Sequence, residues 1–264
     1  MNAHNYQKFI IGSDQSITVQ ADNSTIDIFI ERNIRTTIFI VPQANAVHCS
    51  VSVHVSNGSF CILIQENSKN LCAQTISYRF FIEEHASLEY GLALESESEN
   101  NFSIESHLNG IGASLAVVGF YLVRKNANLK LMINTQHHAM RTQSTVQLCG
   151  ALYDQASVSY NGKTVVDENA QHVRADQQNR NLLLSEFARA SSLPEMEVKA
   201  HQVQCSHGSA LGKHDEAQLF YLQTRGICYD QAQYLLTEGF ISDSLSKAST
   251  QTTIMLKKRL SELL

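Results

Sequence analysis

The sequence predicts a mainly β protein, a parallel β-helix followed by a small C-terminal α-helical region, on three observations. Alternating segments rich in Val, Ile, Thr, Phe and Tyr run from Ser16 to about Val203, the period-two signature of strands with one buried face. Small-residue strand entries recur at Ala46, Ser59, Ala73, Ala86, Ala113, Ala127 and Ala156, at steps near one or two multiples of about 13 to 14 residues, a solenoid-like spacing. After Cys205 the apolar period lengthens to that of helices. An antiparallel sandwich shares the alternation. It would bring more hairpin turns of the Asn-Gly type than Asn57-Gly58, Asn109-Gly110 and Asn161-Gly162 supply.

Within the strand region, residues 47–55 alternate most plainly. Their odd positions should face inward, and His48, Ser50, Ser52 and His54 outward. Cys49, Cys61 and Cys72 fall near the repeat spacing and could form a column on successive coils, acting as small buried side chains rather than as a metal ladder. Residues 95–101 (ESESENN) read as a solvated acidic turn without the spacing or glycine of a calcium loop. Residues 215–225 open with acidic side chains, close on a basic one and precede Gly226, as a capped helix does. A second helix from Asp230 to about Ser242 carries Ala232, Leu235, Leu236 and Phe240. A third, about residues 250–264, carries Ile254, Leu256, Leu260, Leu263 and Leu264. Their apolar stripes need cover, from the end of the coil stack or from another chain, and capping the stack is the simpler arrangement. The division expected is a β-helix core over 1–205 and a helical region over 206–264.

Composition narrows the function. The chain has 264 residues, 43% of them hydrophobic, and a formal charge of −5. That excludes wholesale disorder, and without a basic cluster it argues against nucleic acid. No apolar run reaches bilayer length, and the first ten residues lack a secretory pattern, so no membrane association and a cytoplasmic location are expected. The six cysteines are scattered without a C-x-x-C pair and should be reduced.

No P-loop, G-x-S-x-G or H-E-x-x-H motif occurs, so nucleotide hydrolysis through a P-loop and the common hydrolase chemistries have no footing. His137 and His138 are adjacent on a strand and should point to opposite faces, a structural arrangement rather than a metal pair. The richest polar group is Cys205-Ser206-His207-Gly208. Residues 205 and 207 share one face of an extended strand, so a thiolate and an imidazole can project toward one ligand. Two ligands do not hold an iron–sulfur cluster that takes four, and a second chain would have to complete it. Cys-His catalysis competes, but no orienting Asn or Asp can be assigned, and a purely structural role stands beside both.

The motifs around this junction resemble the SufB/SufD family of iron–sulfur cluster assembly proteins. Residues 205–212 (CSHGSALG), 215–222 (DEAQLFYL) and 224–227 (TRGI) are similar to its C-terminal signature, the CSHG form being that of SufD. Tyr160-Asn161-Gly162-Lys163, Ala170-Gln171 and residues 178–185 (QNRNLLLS) match further family segments in order. The resemblance covers roughly residues 137–240. It implies a right-handed parallel β-helix with following helices, in a non-enzymatic scaffold that pairs with a SufB-type paralogue and docks the SufC-type ABC ATPase through the helical region. His207, with Cys205 beside it, would sit at the cluster-assembly interface, His207 as a ligand. Asp215, Gln218, Phe220, Tyr221, Arg225 and Gly226 would form the SufC-docking segment. A transient iron–sulfur cluster at a subunit interface, rather than a stably bound cofactor, is implied, and no residue assigns a flavin. The cysteine that SufB uses there aligns near Asn179, so SufB would supply that ligand.

Two departures accompany the resemblance. The strands begin almost at once, where family members commonly carry an N-terminal helical domain, and His201-Gln202 stand where an acidic pair is frequent. They open two alternatives, a homodimer of this chain and an interaction module without cluster chemistry. A carbohydrate-active enzyme on a β-helix is a further one, without clustered Asp, Arg and Lys to support it.

Overall fold

The structure is a computed structural model that describes residues 5–21, 24–42, 47–66 and 74–264. In chain order the strands are β1 (Asn5–Ile11), β2 (Gln15–Ala21), β3 (Ser24–Ile30), β4 (Arg35–Pro42), β5 (His48–Val55), β6 (Phe60–Glu66), β7 (Gln74–Ile82) and β8 (Ser87–Ser96). They continue as β9 (Asn100–Leu108), β10 (Ser114–Val123), β11 (Asn128–His137), β12 (Gln143–Leu152), β13 (Ser157–Val166), β14 (Val173–Leu183), β15 (Arg189–Val198) and β16 (Val203–Gly212). Then come helices α1 (Glu216–Thr224), α2 (Tyr229–Ser244) and α3 (Thr250–Leu263), with a short 3-10 turn at Leu245–Lys247.

Odd-numbered strands form one eight-stranded sheet and even-numbered strands another, each in sequence order. Neighbours in each sheet are parallel. Every coil therefore gives one strand to each sheet, and the chain is a β-solenoid. The repeat of about 13 to 14 residues is half a coil.

One edge of the stack is a ladder of left-handed residues, Asn33, Gly58, His85, Gly112, Arg141 and His172, spaced 25, 27, 27, 29 and 31 residues apart. Each donates its N–H to a carbonyl of the next coil, from Asn33 to Asn57 at 3.1 Å through His85 to Ile111 at 2.9 Å to His172 to Gln202 at 2.6 Å. The widening spacing matches strands that grow from 7 residues in β1 to 10 in β10. The stack therefore broadens toward its C-terminal end.

The inward residues of both sheets form one core, including Ile26, Ile28, Val51, Val53, Tyr78, Leu92, Leu131 and Leu148. As expected, Cys49, Val51, Val53 and Val55 face inward, but Val47, which precedes β5, is exposed, and Ser52 is buried although it lies on the outer side. Cys49 and Cys61 belong to opposite sheets of one coil and form no column, whereas Cys72 lies outside the described residues. Both fill the core, and burial pushes the Cys61 thiol well above its usual range. Glu95 is not in a solvated turn. It lies within β8, one residue before its end, is buried, and forms an ion pair with Arg124 at 3.4 Å, so the turn reduces to Glu97, Ser98 and Glu99.

The helices do not cap the end of the stack. α2 and α3 lie on the outer face of the even-numbered sheet, where Ala93, Val118, Phe120, Leu122, Cys149 and Ala151 meet Ile241, Leu245, Leu256, Leu260 and Leu263, and α1 packs on α2. An added Cβ on Gly91 would strike Ile64 and press on Thr252, so the missing side chain lets α3 settle on β8. The stretch from Val117 to Val123 is buried on both faces, which explains its unbroken apolar character. On α2 the buried residues are Ala232, Thr237, Ile241 and Ser244, whereas Leu235 is exposed.

Candidate functional site

The last strand, β16, carries the Cys205–His207 pair across the boundary expected at residue 205. It pairs on one side only, with β14, and β15 likewise with β13, so both strands of the terminal coil leave an edge unpaired among the described residues. Cys205 lies in register with Ala175, and His207 with Gln177. Val173, Ala175, Gln177, Asn179 and Asn181 all face the interior, so Cys205, His207 and Ser209 occupy the interior side of the final rung. No described coil covers that rung, and His207 is exposed. Cys205 is half-buried against a small apolar group with Val203, Met196 and Ala200. Burial raises its thiol pKa, partly offset by a hydrogen bond from the Ala175 backbone, so the free thiol is held in its protonated form. The outward side differs: the Ser206 hydroxyl donates to Asp176 at 2.7 Å.

Beneath His207 the interior becomes polar. Gln177 is buried and accepts from the Thr164 hydroxyl at 3.0 Å. The Tyr160 hydroxyl and the Gln177 amide converge on Gly162, where any Cβ would collide with both, so the glycine of the Tyr160–Lys163 motif is a space requirement. Further along β14, two of its asparagines and Tyr121 of β10, two coils deeper, close a ring of hydrogen bonds. Tyr121 donates to Asn181 at 2.6 Å, Asn181 to Asn179 at 2.7 Å, and Asn179 back to the Tyr121 hydroxyl at 2.9 Å. Asn179 is thus sealed inside the solenoid rather than presented at the open end. Sequence reasoning missed this lining. Its signal was the run of Gln177, Asn179 and Asn181 at inward positions of an alternating strand.

The residues expected in the docking segment lie on α1. Asp215 is its N-cap, accepting from the Ala217 N–H at 2.8 Å, and Gly226 ends it at φ 87°. Leu219 is the buried residue of the helix, whereas Gln218 is exposed and Phe220 and Tyr221 are 68% and 56% exposed. Arg225 lies over the Tyr221 ring at 5.5 Å. Tyr229, Tyr234 and Leu235 add exposed apolar surface on the first half of α2.

His137 and His138 do point apart. His137 is buried between Thr142 Oγ1 at 2.7 Å and Ser144 Oγ at 2.8 Å, and burial first, then the charge of His138, pull its pKa down to about 4. Because the Thr142 hydroxyl donates to Ala139, it accepts from Nδ1–H of His137, and Nε2 accepts from Ser144. Among the described residues no group of three or more His, Cys, Asp or Glu side chains is arranged to hold a metal ion, and no helix is long and apolar enough to cross a membrane.

Residues 10–240 match the family model described as SUF system FeS cluster assembly, SufBD core domain. The chain is 38% identical over 112 residues to an iron–sulfur cluster assembly SufBD family protein of Synechocystis, covering 41% of this chain and 25% of the relative. It is 31% identical over 153 residues to a SufBD family protein of Mycobacterium leprae, covering 55% and 39%. It is 28% identical over 138 residues to the iron–sulfur cluster assembly protein SufD of Escherichia coli, covering 52% and 33%. The chain therefore spans between a quarter and two-fifths of these relatives' length. With a parallel solenoid, its flanking helices and a core-domain match over most of its residues, the chain belongs to the SufB/SufD family.

Proposed function

We propose that this chain is a non-enzymatic scaffold of SUF iron–sulfur cluster assembly, in which the terminal coil meets a SufB-type paralogue and α1 with the start of α2 docks a SufC-type ATPase. The observation that carries the reading is the uncovered final rung. Its unpaired strand edges can continue both sheets into a second chain, and such pairing would bring His207 and Cys205 to the seam. The cluster is cargo: His207 offers an imidazole, Cys205 a thiol that must lose its proton on ligating iron, and the partner the remaining ligands. The exposed Phe220 and Tyr221 support docking on α1, since a helix that buries little against its own fold leaves those rings free for another protein.

Anaerobic cluster reconstitution with SufB and SufC tests the seam. His207→Ala should lower cluster yield while the complex still assembles; an unchanged yield removes His207 from the mechanism. For docking, Phe220→Ala combined with Tyr221→Ala is preferable to deleting the helices, because deletion would bare the apolar face under α2 and α3. The double variant should lose copurification with SufC and keep SufB. Retention of SufC would overturn the assignment of α1.

A further inference from the structure

The outer face of the odd-numbered sheet carries a column of rings. Phe29, His54, Phe81 and His107 come from β3, β5, β7 and β9, lie in register, and stack with centroids 4.5, 4.6 and 5.2 Å apart and planes within 10°. The column changes character at its C-terminal end. His107 and His138 have parallel rings, 8° apart, but a centroid separation of 5.5 Å, and Nδ1 of His107 lies 3.2 Å from Nε2 of His138. They meet through a ring nitrogen hydrogen bond rather than by close stacking.

The neighbours fix where the hydrogens sit. Asp167 takes the hydrogen of His138 Nδ1 at 2.7 Å, which leaves Nε2 as an acceptor in the neutral ring. His107 Nδ1–H must then donate to it. The other nitrogen of His107 faces Glu105 at 3.4 Å. A proton added there gains an acidic neighbour and keeps the chain of contacts. A second proton, added to His138 Nε2 once His107 is charged, puts two donors face to face and two positive rings together.

We propose that Glu105, His107, His138 and Asp167 form an acid-sensitive latch between coils, closed while at most one of the two imidazoles is charged and open when both are. It ties β9 to the end of β11 and to the turn after β13, one coil short of the terminal one. From β7, Phe81 lies against His107 and Arg79 stands in register with Glu105, and past that strand Glu83 accepts from Asn109 at 3.1 Å. On the far side Lys199 feels the charge of Asp167 while paired with Glu197 at 3.0 Å. His137, next in sequence, faces the interior and remains neutral there. All four latch side chains are partly exposed, so protons reach them without unfolding. The inference is independent of the SUF reading.

Imidazole nitrogen NMR of the ¹⁵N-labelled full chain, with melting curves at pH 8 and pH 5, tests it. Variants His138→Gln and His107→Gln assign the signals and remove the double charge. The wild type should show a hydrogen-bonded His107 Nδ1–H at pH 8 and lose it at pH 5. Its melting temperature should also fall by about 2–4 °C more than that of either variant over the same step. His138→Gln also removes the neighbour that lowers the His137 pKa, whereas His107→Gln leaves it in place, so the His137 contribution cancels between wild type and His107→Gln, the deciding comparison. Persistence of the signal at pH 5, its absence at pH 8, or superimposable melting shifts overturns the latch. If His107→Gln fails to fold, His107→Asn supplies the comparison.

Discussion

Arg124 donates through Nη2 to the main-chain oxygen of Leu263 at 3.0 Å, across 139 residues of sequence. The same guanidinium faces Glu95 at 3.4 Å and lies 4.3 Å over the Tyr153 ring. A cation from the sheet thus meets the C-terminal carbonyls of α3, where the helix dipole is negative. Arg124→Ala should cost about 2–3 kcal/mol in urea denaturation, because it also removes an ion-pair partner of the buried Glu95. Adding Glu95→Leu should recover part of that loss. A cost below about 0.5 kcal/mol would mean that Arg124 is only surface decoration.

At the other end of α3, Glu89 accepts from the Ser249 N–H at 2.9 Å. An acid at the N-terminus and a base at the C-terminus hold one helix flat on β8. Glu89→Ala should destabilise by about 1 kcal/mol and speed amide exchange in the first turn of α3. Exchange rates that stay at wild-type values would show the helix to be fixed by apolar packing alone.

Tyr121 fills space that Gly150 leaves empty, since a Cβ at that glycine would sit inside the ring. Tyr121→Phe keeps the volume but strips partners from Asn179 and Asn181, and should cost about 1–3 kcal/mol. Gly150→Ala should cost about as much or more by overpacking. Thermal denaturation of both variants checks this, and wild-type stability in Tyr121→Phe would mean the ring of three hydrogen bonds contributes little.

His137 makes stability depend on pH. Its folded pKa of about 4 lies below the ordinary value of 6.5, so between those values the unfolded chain binds the extra proton. The contribution is complete above the unfolded value and is lost as pH falls toward the folded one. It amounts to at most about 3 kcal/mol. His137→Leu should flatten the profile in that window, measured by denaturant midpoints from pH 7 to pH 4. An unchanged slope would assign the acid sensitivity to other groups.

The strand repeat was legible because inward and outward positions alternate and because coils recur at near-constant length. The three helices were legible from Asp215, Gly226 and the spacing of their leucines. The position of the helices was not. Capping the stack seemed natural from their stripes, but the surface they cover is written in another part of the chain, at Val118, Phe120, Leu122 and Cys149. The pairing of residues 205 and 207 on one side of a strand was readable from parity. Their exposure was not, since it depends on whether a further coil follows.

What the sequence alone determined is whatever repeats locally: strand period, coil length, helix ends, and the motifs of the SufB/SufD family. The tertiary structure decided which distant residues share a surface. Register stacks Phe29, His54, Phe81 and His107 into one column, brings Arg124 to Leu263, and sets Asn179 against Tyr121. In a solenoid each side chain meets neighbours a whole coil away, and local pattern carries the alternation of faces but not the identity of those neighbours.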